Sequence, residues 1–277
     1  MYHQLISIFQ KRFQIDIFIV LTMILFSTIP AFSLNIDTTT IVIVGTVHSK
    51  TEKFNNHTLY NIINRIKPDL ILVELDSSFF TQSMSIKPEL INASLENIVV
   101  ADYQKTHNIL VRPYDIEGRN NIYRDNHYFE QQQELSKSLN KVNLDTLLPS
   151  ESKMLLDATF RFDQITRSFA SEFPNVFNSN ACNVAMESKQ YYANEGIVKI
   201  VASLTNLKQF TEFATFKRDF WIKRNDIMIN KILNWHKVLH PMTILVLCGF
   251  EHKYYLYNAL TKYSTSENFK IKEYWTY

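Results

Sequence analysis

The sequence predicts an α/β fold: a mostly parallel sheet flanked by helices, with a helical insertion. Three observations predict it. Apolar runs at Thr39–Thr46, Leu70–Leu75 and Met242–Cys248 lack polar alternation, which is the pattern of strands buried on both faces. An amphipathic helix joins the first two runs, so strand, helix and strand follow within about 35 residues, as in a right-handed βαβ unit. A polar, helix-rich stretch at about 120–215 then interrupts the alternation before a sheet pattern returns.

Composition bounds the possibilities. The 277 residues are 46% hydrophobic and 20% charged, enough for a packed core and too apolar for a disordered chain. Residues 34–277 are read as a single domain. A net charge of +2, with no long basic run, excludes the electrostatic footprint of a nucleic-acid binder. The 20 phenylalanines and 14 tyrosines read first as core filling. Cys182 and Cys248 would allow one disulfide, but Cys248 ends a buried strand, where a free thiol packs as a small hydrophobe.

Residues 1–33 read as an export signal. Lys11 and Arg12 precede an apolar core at Ile17–Phe26, Pro30 breaks it, and Ala31-Phe32-Ser33 offers a cleavage site. The alternative is an uncleaved membrane anchor at about residues 15–34, only just long enough to span. Either reading puts the body outside the cytoplasm, as a secreted, periplasmic or membrane-anchored protein.

The remaining elements follow in order. Phe54–Ile66 is a helix with Leu59, Ile62, Ile63 and Ile66 on one face, stopped by Lys67-Pro68-Asp69. Residues 77–107 are expected to be mostly helical, with a loop at Lys87-Pro88. Asn108–Asp115 is a third strand, and Pro113 puts it at a strand end or sheet edge. Helices continue over Cys182–Tyr192 and Ile197–Phe216, with Gly196 in a turn. Arg218–Leu239 is a long amphipathic helix with Trp221, Ile222, Ile229 and Ile232 among its core candidates. A helix at about 252–262 and a strand at Phe269–Trp275 close the chain.

Two corners share one pattern: Gly45-Thr46-Val47-His48 and Gly249-Phe250-Glu251-His252, each directly after an apolar strand. With four glycines and eight histidines in the chain, roughly 0.1 such tetrapeptides are expected by chance. A glycine there permits a tight turn and close backbone approach. Four predicted strands end in His48, Glu74, Asp115 and His252, and ligands of open parallel sheets bind outside the carboxyl ends of the strands. Glu74, between apolar neighbours, is costly to bury alone. It reads either as half of a salt bridge or as a general base or metal ligand. Two histidines and a carboxylate would form a facial set for a divalent ion with open positions. Arg224 either faces water or holds a substrate carboxylate or oxyanion. His236 and His240 share a helix face, but no glutamate follows His236 and both sit in a last turn, where they serve the helix dipole.

Two further segments extend the pattern: Lys67-Pro68-Asp69-Leu70-Ile71-Leu72-Val73-Glu74-Leu75-Asp76 and Arg224-Asn225-Asp226-Ile227-Met228. In their order and spacing, and with the two corners, they make the chain resemble the TraB/GumN/Tiki superfamily, with its ChaN-like and erythromycin-esterase-like relatives. The resemblance implies an EreA/ChaN-like α/β fold in which both histidines and the glutamate meet. It implies an exported metal-dependent hydrolase of the metalloprotease type acting on a peptide or protein, with manganese or cobalt held by His48, Glu74 and His252. Arg224 would join these three in catalysis, and Arg119 and Asn225 would contact substrate. Two alternatives on the same scaffold are a haem-binding protein and a peptide-binding protein that does not cut its ligand.

Overall fold

Ile41, Val42, Ile43 and Val44 are all buried, and so are Leu70–Val73 and Ile244–Cys248, as unbroken apolar runs require. The computed structural model describes residues 38–144 and 148–277. The expected export signal at 1–33 and the alternative anchor lie outside them. Five strands form one all-parallel sheet: β1 (Thr39–Thr46), β2 (Leu70–Val73), β3 (Leu110–Pro113), β4 (Thr243–Gly249) and β5 (Phe269–Lys272). Their order is β3-β2-β4-β1-β5. The α/β class is therefore as predicted. β3 is an edge strand, in keeping with Pro113 at its end.

Alternate residues of each central strand feed two apolar layers. Val42, Val44, Ile71, Val73, Leu245 and Leu247 pack against α1 (Asn56–Ile66) and α2 (Leu95–Thr106). Asn55 caps α1 by accepting the Thr58 N–H, and Ser94 caps α2 by accepting that of Asn97. Ile41, Ile43, Leu70, Leu72, Ile244 and Val246 face the other way, onto α9 (Thr211–Leu239) and α10 (Phe250–Tyr263). Each fully buried side chain of this size contributes about 1.5–3 kcal/mol by leaving water.

The segment between β3 and β4 holds α3 (Arg119–Asp125), α4 (Tyr128–Asn143), α5 (Ser150–Ala170), α6 (Pro174–Phe177), α7 (Asn180–Tyr191) and α8 (Ile197–Ser203) before α9. Leu135, Leu139, Leu156, Ile200, Val201 and Phe213 form a third apolar cluster there. The insertion thus has a small core of its own. Gly196 lies in a π-helical turn, Tyr192–Gly196, which joins α7 to α8 where a break was expected. Residues 77–107 are less helical than expected. A 3₁₀ turn (Ser77–Phe79), a bridge between Phe80 and Ile86 and a second 3₁₀ segment (Pro88–Ala93) precede α2, because Asp76, Pro88 and Ser94 each restart the chain. The last strand stops at Lys272, and Tyr274–Thr276 is a 3₁₀ turn. Among the described residues no helix is long and apolar enough to cross a membrane.

One side chain ties the insertion to the sheet. β5 pairs with β1 only as far as Val42, so the peptide groups of Gly45 have no strand partner on that side. Asn178 replaces the strand: its Oδ1 accepts the Gly45 N–H at 2.7 Å, and its Nδ2 donates to the Gly45 carbonyl at 3.0 Å. Lys253 Nζ donates to the Asn178 carbonyl in turn. Replacing Asn178 by alanine would leave two buried peptide groups unpaired, so Asn178→Ala should lower the unfolding free energy by about 2–4 kcal/mol, read from urea denaturation.

Candidate active site

The strand order sets the order of groups along the carboxyl rim. Asp115 follows β3, Glu74 follows β2, Gly249 ends β4, and His48 lies just beyond β1. β1 and β4 are direct neighbours with Thr46 level with Gly249, so the two Gly-x-x-His corners sit side by side. Their glycines serve each other. A Cβ on Gly45 would lie 2.9 Å from the Phe250 Cα of the second corner. A Cβ on Gly249 would lie 2.6 Å from His48 Nε2 and 3.6 Å from Glu74 Oε2. Both glycines are needed for close approach, and the His48 ring sits where a side chain on Gly249 would be.

Arg224, buried on α9, organises the centre of the rim. Its Nε donates to Asp115 Oδ1 at 2.8 Å, and its Nη2 donates to Asp115 Oδ2 at 2.9 Å and to Glu74 Oε1. Its Nη1 donates to His252 Nε2 at 3.2 Å. Arg119 Nη1 donates to Asp115 Oδ2 at 2.8 Å and lies 3.8 Å from Glu74 Oε1. Two arginines and two carboxylates therefore form a neutral square, which is what permits such burial. Glu74 Oε2 accepts the Gly249 N–H at 2.6 Å.

The two histidines have different surroundings. His252 Nδ1 contacts Asn225 Oδ1 at 2.7 Å, and Asn225 Nδ2 donates to the Trp221 carbonyl. An amide oxygen only accepts, so the His252 proton sits on Nδ1 and Nε2 accepts from Arg224. Trp221 stacks on the ring with centroids 4.4 Å apart. Burial, helped by the Arg224 charge and opposed by Glu74, pulls the His252 pKa down to about 4, so the ring is neutral. Burial alone would raise the Glu74 pKa. The charge His252 gains in acid, the Arg224 guanidinium, His48 and the Gly249 N–H hold it instead at about 2.

His48 is more than half exposed and adopts a left-handed backbone, φ 58°. Its Nδ1 is 3.1 Å from Glu96 Oε1, which also accepts from Thr46 Oγ1. Partial burial lowers the His48 pKa, but the hydrogen bond to Glu96 and the charges of Glu74 and Glu96 outweigh it, and the net shift is upward. With Nδ1–H directed to Glu96, Nε2 carries the lone pair and lies close over Gly249. His48, Glu74, Glu96 and Arg119 line a cavity of about 380 Å³. On the far side of the Glu74–Arg224 pair, Arg224 and Trp221 line a second cavity of about 570 Å³, roofed by the helical insertion.

The structure brings His48, Glu74, His252, Arg224 and Arg119 together. Asn225, expected to contact substrate, is fully buried behind His252 and orients that ring instead. Glu96 escapes sequence reasoning because an acidic residue in a first helical turn is an ordinary partner of the helix dipole. His236 Nε2 lies 2.8 Å from the Glu267 carbonyl oxygen, and His240 is the C-cap of α9.

A divalent ion takes nitrogen and oxygen ligands at about 2.0–2.2 Å. His252 Nε2 and Glu74 Oε1, 3.7 Å apart, have a spacing that two such ligands share. However, the Arg224 guanidinium is bonded to both atoms, so a positive group already lies between them. Among the described residues no group of three His, Cys, Asp or Glu side chains is placed to hold an ion. In this arrangement Arg224 takes up His252 Nε2 and Glu74 Oε1, while His48 bonds Glu96, so the three side chains do not converge on one point.

Compared with family models, with curated proteins and with solved structures, the chain finds no match.

The paired glycines give a contrast that can be measured. In Gly249→Ala the new methyl meets the tip of a side chain, so His48 should be displaced with little loss of stability. In Gly45→Ala it meets the α10 backbone, and overpacking should cost about 1–3 kcal/mol. Thermal denaturation of both variants, with the His48 ring signals followed by NMR in Gly249→Ala, checks this.

Proposed function

We propose that the protein is a hydrolase of acyl bonds, exported by its N-terminal segment and acting on a peptide-like substrate, as the TraB/GumN/Tiki resemblance implies. The observation that carries this reading is His48: a ring at the wall of a cavity, with one nitrogen fixed on a buried carboxylate and the other without a hydrogen-bond partner among the described residues. That is the geometry of a general base. Water bound in the cavity beside His48 gives a proton to His48 Nε2 as its oxygen attacks the substrate carbonyl carbon. Glu96 holds the ring in the required tautomer and stabilises the imidazolium that forms. Arg119, with donors left open toward the cavity, binds the developing oxyanion. The carbon–nitrogen or carbon–oxygen bond then breaks, and His48 returns the proton to the leaving group. Glu74 and Asp115 keep both arginines in place, and neutral His252 accepts from Arg224 without adding charge.

Neutral His48 is the active form and its pKa is raised, so activity should rise with pH through a midpoint above 6.5. A panel of fluorogenic peptides and esters, assayed with the full chain in the presence of EDTA, tests this. His48→Ala should lower kcat/KM by about 10²-fold or more. Glu96→Gln should lower kcat and move the acid limb to lower pH, because a carboxylate that raised the His48 pKa is gone. Equal activity in His48→Ala would contradict the proposal. A metal-assisted route needs Arg224 to leave Glu74 and His252. Loss of activity in EDTA with recovery in manganese or cobalt would favour that route over the one proposed. A shifted optical spectrum on adding haem would favour the haem-binding alternative.

A further inference from the structure

The larger cavity contains a cation that the proposed chemistry does not use. Four basic side chains line it: Arg167, Lys189, Lys217 and Arg224. Three are matched by carboxylates. Arg224 is held by Glu74 and Asp115. Arg167 pairs with Asp163 at 2.7 Å, and Lys189 pairs with Glu251 at 2.5 Å. Lys217, on α9, has no carboxylate within 4.0 Å among the described residues. Its Nζ donates to one acceptor, the Ala193 carbonyl, at 3.1 Å. Ala193 belongs to the π-helical turn Tyr192–Gly196, and such bulges recur where a helix is opened for function.

The rest of the wall is aromatic and apolar: Tyr123, Tyr128, Phe160, Phe220 and Trp221 all face the same space. Lys217 and Arg224 are seven residues apart on one helix, which puts them on the same face about 10 Å apart along the axis. That is the span of about three extended residues. The cavity therefore offers an apolar body, with a cation free of carboxylate partners at one end and the carboxylate-bound Arg224 at the other.

We propose that Lys217 is a carboxylate-binding subsite, which seats the free carboxylate of an amphipathic ligand whose apolar part packs on the aromatic wall. An ammonium with one carbonyl partner retains two donors for a carboxylate. Burial, together with the nearby Lys189 and against Glu251, lowers the Lys217 pKa to about 8, so the group is still mostly charged at neutral pH. Low solvation makes the pairing stronger than at the surface. The subsite lies across the Glu74–Arg224 pair from His48, so it stands apart from the hydrolase reading. Ligand binding itself does not depend on that reading.

The test is a comparison of 4-phenylbutyrate with 4-phenylbutanamide, binding to the full chain followed by calorimetry. The carboxylate should bind at least about tenfold tighter than the amide, a difference of about 1.4 kcal/mol. Lys217→Met should abolish the preference and Lys217→Arg should keep most of it. No preference in the wild type, or a preference that survives Lys217→Met, would overturn the proposal. Should Lys217→Met fail to fold, acetylation of wild-type Lys217 by acetic anhydride, followed by mass spectrometry, decides. Slower labelling with 4-phenylbutyrate supports the subsite, and unchanged labelling overturns it. Carboxylate preference in a protein that hydrolyses none of the peptides or esters would leave the subsite standing and remove the hydrolase reading.

Discussion

A single buried guanidinium holds the rim together. Arg224 divides its donors among Asp115, Glu74 and His252, which follow three different strands. Breaking a buried ion pair by removing one partner costs about 3–5 kcal/mol, mostly because the other charge is left unpaired. Here one arginine serves two carboxylates, and Arg119 supplies the second positive charge that makes the group neutral. The positions of Glu74 and of the His252 ring, and with them the floor between the two cavities, follow from that balance.

His48 stands outside this lock, and its freedom is structural. The missing side chain of Gly249 gives the ring its place, and Glu96 fixes Nδ1 from behind. The two corners look alike in sequence but do different work. One presents an exposed, titratable ring with a carboxylate behind it. The other presents a buried neutral ring held by an asparagine and stacked on a tryptophan. Gly45 has a further duty, since its peptide groups are completed by Asn178 from the insertion. The same corner that positions His48 thus also docks the helical layer over the rim.

Much of this architecture was legible in the chain. The buried strands announced themselves as unbroken apolar runs, and the rule that ligands gather at strand carboxyl ends brought Asp115, Glu74 and both histidines to one edge. Burial between apolar neighbours also marked Glu74 as needing a partner, and the salt-bridge option weighed for it is realised through Arg224. What the sequence could not give was pairing across elements. Glu96 resembles any acidic residue at a helix start, Asn225 resembles a polar surface residue, and the placement of β4 between β1 and β2 follows from no local signal. Lys217 was invisible for the same reason: an unmatched cation can be recognised only once its neighbours are known. The 77–107 segment departed from its expected helix because Asp76, Pro88 and Ser94 act as caps and breaks that override average propensity.

The central claim is that the two histidines are divided by their partners into a locked neutral ring and a free base. Long-range nitrogen–proton NMR of histidine-labelled protein across a pH series reads both rings at once. The account predicts that His252 stays a neutral Nδ1–H tautomer until a midpoint of about 4, while His48 titrates above the ordinary histidine value. A His252 ring protonated on Nε2 at neutral pH, or titrating with the same midpoint as His48, would contradict it.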